Sequence, residues 1–215
     1  LVGSFLGVPG SAVQSYNFFK RDESRSSVSF YRPIESWTYT PGSLPMFNTK
    51  TPYTELEYYG TEFATASKEQ ANIRLFTTQN ILPSLNIALE FKRYGGEGIL
   101  QHEKTINKPS CVSGNWLGKR YLAHFGFIHN SSTREENGGL TDLTMIRDTT
   151  VEVREIAVTL SDAANKYTKN TFFLDQTLRI PFTFIERMKH KGDSTYVPTG
   201  DDITTAFIGS SHEYN

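Results

Sequence analysis

The chain has 215 residues, with 22 basic and 23 acidic side chains and a net charge of −1, and no basic stripe that would argue for a nucleic-acid surface. Its one cysteine, Cys111, excludes an internal disulfide framework. No run of about eighteen apolar residues occurs, which excludes a transmembrane helix but not a transmembrane barrel, whose strands alternate and so keep a low mean hydropathy.

Aromatic residues are frequent at 13%, and the length fits one large all-β domain or two small ones. Residues 1–27 are Gly- and Ser-rich with mixed charge at Lys20, Arg21, Asp22, Glu23 and Arg25, an irregular lead-in. Leu1 opens a polar stretch with no signal peptide, so we expect a removed leader or an excerpt of a longer protein. Residues 28–40 could hold a short strand on either side of Pro33, and Pro41, Gly42 and Pro45 force turns. The lead-in with its possible short strand thus occupies 1–50, and strands are expected over 51–215.

The first of these ends near Tyr59, with Thr54, Leu56 and Tyr58 alternating against Glu55 and Glu57. A polar connection at 60–69 leads to a strand over 70–78, with Asn72, Arg74 and Phe76 opposite Ala71, Ile73 and Leu75. A tight turn at 80–84 precedes a third strand over 85–94, where Leu85, Ile87, Leu89 and Phe91 alternate with Asn86, Ala88, Glu90 and Lys92. A long polar loop is expected at 95–110, a strand at 111–117, a turn at 118–120 and a strand at 121–129. After a loop at 130–150, residues 151–160 read as a strand whose apolar parity changes near Arg154 and Glu155, as a β-bulge would make it. A turn at 161–170 then leads into the longest pattern.

That pattern is 171–184. Phe172, Leu174, Leu178, Ile180, Phe182 and Phe184 fall on one face, with Gln176 the exception. Phe173, Asp175, Thr177, Arg179, Pro181 and Thr183 fall on the other. Soluble strands average about five or six residues, whereas about nine to eleven tilted residues cross a bilayer. Pro181 cannot donate to a ladder, so a bulge or the rim of the sheet is expected there. A loop at 186–201 and a weakly alternating strand at 203–214 end the chain. The result is about eight strands whose connections alternate long and short, as in transmembrane barrels with long extracellular loops and short periplasmic turns. The expected outer loops are 60–69, 95–110, 130–150 and 186–201, and the inner turns 80–84, 118–120 and 161–170. The strand at 171–184 would then run outward from the periplasm. Aromatics near strand ends, such as Tyr53, Tyr94 and Tyr121, suit interfacial girdles.

Residues 48–59, Asn-Thr-Lys-Thr-Pro-Tyr-Thr and the alternating strand after it, resemble the "putative porin" family of outer-membrane β-barrels from Bacteroidota. Leu75-Phe76-Thr77-Thr78-Gln79-Asn80, Arg120-Tyr121-Leu122-Ala123-His124 and Glu136-Asn137-Gly138-Gly139-Leu140 are similar to later segments of that family in the same order. Leu6-Gly7 with Gly10-Ser11 resembles its lead-in. The resemblance implies a Gram-negative outer-membrane antiparallel β-barrel, an up-and-down meander and here an incomplete portion of a larger barrel. It also implies a passive channel rather than an enzyme, with no cofactor.

The residues themselves supply no catalytic constellation. His124 and His129 fall on opposite faces of one strand, His102 and His190 fall in loops, and no metal-ligand spacing occurs. Cys111 has no base beside it and reads as an inert thiol. The polar members of the alternating strands carry the functional expectation: Glu55, Glu57, Asn72, Arg74, Glu90, Lys92, Asp175 and Arg179 line the lumen, because a charge facing lipid at the midplane costs about 2–4 kcal/mol for Arg or Lys. The expected partners are outer-membrane lipid, small solutes and other outer-membrane or periplasmic proteins, and no nucleic acid. A soluble or surface-attached β-sandwich binding module, a structural barrel in an outer-membrane assembly, and an outer-membrane enzyme are the alternatives.

Overall fold

A computed structural model describes residues 3–5, 7–20, 31–61, 70–147, 150–195, 197 and 204–215. A short hairpin, β1 (Gly3–Phe5) and β2 (Val13–Ser15), precedes two 3₁₀ turns over Arg32–Trp37 and Pro41–Ser43. Seven strands follow: β3 (Tyr53–Gly60), β4 (Gln70–Leu82), β5 (Leu85–Glu97), β6 (Lys104–Leu117), β7 (Tyr121–Glu135), β8 (Ala164–Pro181) and β9 (Thr204–Tyr214). Each pairs antiparallel with the next, giving one all-β, up-and-down meander in strand order. This is a wall of the barrel type, left open between its edge strands β3 and β9.

The alternation read from the sequence sets the two faces. Registered rows cross the sheet, for example Leu75, Phe91, Ser110, His129 and Asn170, and then Thr77, Leu89, Val112, Phe127, Phe172 and Tyr214. Below these, Gln79, Ile87, Gly114, Phe125, Leu174 and His212 form the next row. This outward face exposes Leu89, Val112, Phe172 and Ile208, although all are apolar. Toward the start of β8 the same face turns polar at Lys108, Ser131 and Thr168 and at Ser110, His129 and Asn170, where His129 Nδ1 lies 2.6 Å from Asn170 Oδ1. Strands of 13 to 18 residues from β4 to β8 therefore run past the apolar band at that end. On β8 the band runs from Phe172 to Ile180, about 26 Å at about 3.3 Å per residue, the length of the shortest tilted bilayer crossing. Its one polar member, Gln176, is satisfied on the same face: it accepts from Tyr121 Oη at 2.9 Å and donates to Ser210 Oγ at 2.9 Å.

The connections differ from the sequence expectation in one consequential place. Residues 151–160 are not a strand. Val153–Glu155 is a 3₁₀ turn, and 136–163 folds on itself through Glu136–Ala163, Leu160–Asn137, Thr159–Gly139 and Thr141–Ala157 backbone bonds, with one bridge at Leu140–Val158. The parity change near Arg154 marks this turn and not a bulge: Ile156 is buried while Val153 faces solvent. Losing that strand leaves seven in the sheet, not eight, and reverses the direction of everything after it. Residues 164–170 belong to β8 and are not a turn. β8 starts at the long-connection end, and the 182–203 connection falls at the end holding the tight turns at 83–84 and 118–120. The 95–110 loop is likewise only 98–103, because β5 continues to Glu97 and β6 begins at Lys104. Asn-rich and Gly-rich sequence hid both continuations, since neither residue type favours strands. β7 similarly extends to Glu135 into the expected 130–150 loop, and the expected outer loop at 186–201 holds the end of α1 (Phe182–Lys189) at the tight-turn end. Pairing becomes irregular between Ile180 and Pro181, and Phe182 and Phe184 lie in α1 and not in the apolar row.

Two glycines sit opposite phenylalanines in the register, Gly114 with Phe125 on the outer face and Gly126 with Phe173 on the inner. Each ring lies over its glycine, so a methyl on Gly114 would stand 2.7 Å from Phe125 and one on Gly126 2.9 Å from Phe173. We expect Gly114→Val to lose about 1–3 kcal/mol through overpacking, read as a lower urea midpoint of the purified protein with the secondary structure unchanged.

Candidate functional site

All eight polar strand residues singled out in the sequence lie on the inner face. Tyr53, Glu55, Glu57 and Tyr59 of β3 register with Thr78, Phe76, Arg74 and Asn72 of β4, and these with Ala88, Glu90, Lys92 and Tyr94 of β5. Five of the eight meet in one cluster. The Arg74 guanidinium reaches Glu90 at 2.8 Å, Glu55 at 3.2 Å and Glu57 at 3.4 Å, and Lys92 contacts Glu90 at 3.1 Å. Asn72 adjoins them across from Tyr59 and Tyr94. Asp175 and Arg179 stand apart on β8. Asp175 faces His124 and accepts from Ser211 Oγ, and Arg179 is near the tight-turn end, where its backbone N–H donates to Arg120 O. The inner wall thus carries both signs of charge in separate places, with the carboxylates of β3 and β5 gathered around one arginine.

A second feature of this face was not anticipated. The chain from Tyr31 to Lys50 runs lengthwise down it as a strap, and inward asparagines hold the strap's backbone. Asn130 does so twice, donating to Tyr39 O at 2.8 Å and accepting from Tyr39 N–H at 2.9 Å, as a neighbouring strand would. Asn115 donates to Phe47 O at 2.6 Å. Asn80 accepts from Thr49 N–H at 3.1 Å and donates to Asn48 at 2.7 Å, and it is positioned in turn by Asn86 and Thr78. Higher up, Asn107 donates to Gly10 O, and Trp37 Nε1 donates to Ser11 O at 2.6 Å. Apolar contacts follow the same path. Tyr31 stacks on Tyr167 at 4.3 Å and Trp37 packs on Tyr94 at 4.9 Å. Leu44 lies among Cys111, Ile128 and Phe173, and Phe47 packs on Phe76 at 4.9 Å. Lys92 Nζ stands 4.8 Å from the Tyr39 ring.

The strap explains an inner face that is buried yet polar: Asn86, Asn107, Asn115, Asn130, Ser113, Ser132 and Thr171 are all shielded. Burying an amide costs free energy unless its bonds are met, and here strap backbone meets several of them. Burial pushes the Tyr31 phenol up to about 12. Burial, with the Glu90 carboxylate second, pushes Tyr39 well above its ordinary value. Both phenols therefore stay neutral across the physiological range. Asparagine is depleted from strands, so inward Asn on four successive strands marks a surface built to hold backbone. Cys111 is buried beneath Leu44, and His124 and His129 are on opposite faces of β7. Among the described residues no group of three His, Cys, Asp or Glu side chains is placed to hold a metal.

The comparisons agree with this architecture. A family model described as "putative porin" matches residues 4–211, nearly the whole chain. No curated protein and no solved structure matches it. An all-β meander with an apolar outer face and a charged inner one, matched along nearly its full length, belongs to the putative porin family.

Proposed function

We propose that the protein is an outer-membrane, porin-like channel that passes small solutes passively, with no chemical step, along a polar lumen. The observation that carries this reading is the asymmetry of one sheet. Its outward row is apolar and open, with Leu56 72% and Ile208 62% exposed, while Glu55, Glu57, Asn72, Arg74, Glu90, Lys92, Asp175 and Arg179 share the inward face. Lipid is the solvent that makes such an outward row favourable, and the inner charges are then the pore lining. A soluble sandwich would instead bury the apolar row against a second sheet. The strap narrows the lumen, so any passage runs along its flanks, beside the Arg74 cluster on one side and Asp175 and Arg179 on the other. The end bearing 61–69, 98–103 and 136–163 faces outward, and the end bearing the tight turns and the 182–203 connection faces the periplasm.

Expression in a Gram-negative host followed by membrane fractionation and planar-bilayer recording tests this. The protein is expected in outer membranes, to need detergent, and to give discrete current steps. A monodisperse detergent-free protein would sink the barrel reading. A detergent-dependent protein without current would favour the structural-partner alternative, which the strap across the inner face makes specific.

A further inference from the structure

The levels of the strap contacts fix its direction. Gly10 and Trp37 meet Asn107 and Tyr94, at the start of β6 and toward the end of β5, and Tyr31 meets Tyr167 near the start of β8. All of these are at the long-connection end. A methyl on Gly7 would lie 3.4 Å from Glu103 of the 98–103 connection, at the same mouth. Leu44 is at mid-height against Cys111 and Ile128. Phe47 and Thr49 are held by Asn115 and Asn80, near the tight turns, where Tyr53 begins β3. The chain therefore travels the full depth of the inner face before the first strand of the sheet starts back up.

We infer that the N-terminal segment is a plug threaded from the outer mouth. Residues 7–19 stand at the cell surface, residues 31–50 fill the lumen, and the chain reaches the periplasmic side only at β3. This rests on the outer-membrane orientation proposed above. The threading follows from the order of the asparagine anchors along the strap, and the orientation from the tight turns at 83–84 and 118–120, which share their end with the 182–203 connection, set against the 136–163 connection at the other end. It has a functional consequence. Tyr16, Phe18 and Phe19 project from the segment, Phe19 being 86% exposed, so the outer end of the plug is open to approach from outside the cell.

Single cysteines test the threading in the full-length protein. Phe19→Cys, Leu143→Cys in the 136–163 connection and Lys119→Cys in a tight turn are all at exposed positions. The parent, whose one thiol is buried at Cys111, is the blank. Intact cells are treated with a membrane-impermeant maleimide, and a second sample is treated after lysis. The expected result is labelling of Phe19→Cys and Leu143→Cys in intact cells, at a level at least several-fold above Lys119→Cys, which labels only after lysis. Labelling of Leu143→Cys without Phe19→Cys overturns the threading and leaves the orientation standing. Labelling of Lys119→Cys without the other two overturns the surface display through its orientation.

Discussion

Asn130→Ala is expected to loosen the strap and raise the conductance of the channel. Asn130 is 1% exposed and makes two bonds to the backbone of Tyr39, at 2.8 and 2.9 Å. Alanine removes both and leaves a buried N–H and a buried C=O to find other partners. Each such group costs roughly 1–3 kcal/mol when it fails. The loss falls on the strap and not on the wall, because the β7 ladder on either side of Asn130 keeps its backbone pairs with Pro109 and Lys169. The barrel should assemble normally, while Tyr39 and its neighbours dissociate more often. In planar bilayers the variant should show larger or noisier current steps than the parent, and limited proteolysis should cut within 31–50 several-fold faster. Unchanged current with faster cutting would mean that the strap does not obstruct the route of the ions. Asn130→Asp is a useful companion: it keeps an acceptor for Tyr39 N–H but sets a buried carboxylate against Tyr39 O, so at neutral pH it is expected to loosen the strap at least as much as alanine.

The sequence carried the wall of this protein better than its contents. Strict alternation over 70–94 and 171–180 separated the two faces of the sheet, because a side-chain period of two leaves no other way to bury one face. Termini of strands were lost where Gly, Asn and Ser replace the apolar member, as at 95–97, 104–110 and 164–170. Beyond the apolar band the outward face is polar and the hydrophobic signal disappears, although the ladder continues. The false strand at 151–160 arose from the opposite error. Its Ile156 is buried within a loop folded on itself, and short apolar runs do not reveal which partner they will find. That single error reversed the expected direction of β8, since in a meander every later strand inherits the parity. The strap escaped notice for a deeper reason. It has no period of its own, and its signal lies in the wall, in Asn80, Asn107, Asn115 and Asn130, whose amides supply the bonds that irregular backbone lacks.

Strap and wall charges therefore divide the inner face into two kinds of surface. Asparagine amides and aromatic rings hold most of the strap, with Lys92 over the Tyr39 ring as a charged contact. The Arg74 cluster is ionic: Glu90 and Lys92 lie against Tyr39 of the strap, while Glu55 and Glu57 are more exposed. Arg74→Gln is expected to make the channel markedly more cation-selective. The substitution leaves Glu55, Glu57 and Glu90 gathered with Lys92 as their remaining cation among the described residues. Excess carboxylate in a narrow lumen draws cations and repels anions, and the effect weakens as salt shortens the screening length from about 10 Å at 0.1 M. The reversal potential under a salt gradient should move in the cation direction by a several-fold change in permeability ratio, more at low salt than at 1 M. The stability cost should be modest, about 1–3 kcal/mol. It comes mainly from Glu90, whose side chain is 8% exposed and loses its 2.8 Å partner, while the Glu55 and Glu57 pairs are more exposed and contribute little. Arg74→Lys separates charge from geometry. It keeps the cation but loses the fork that reaches three carboxylates at once, so its selectivity should stay near that of the parent while its urea midpoint falls toward that of the glutamine variant. Equal reversal potentials for parent and Arg74→Gln, at every salt concentration, would remove this cluster from the path of the solute.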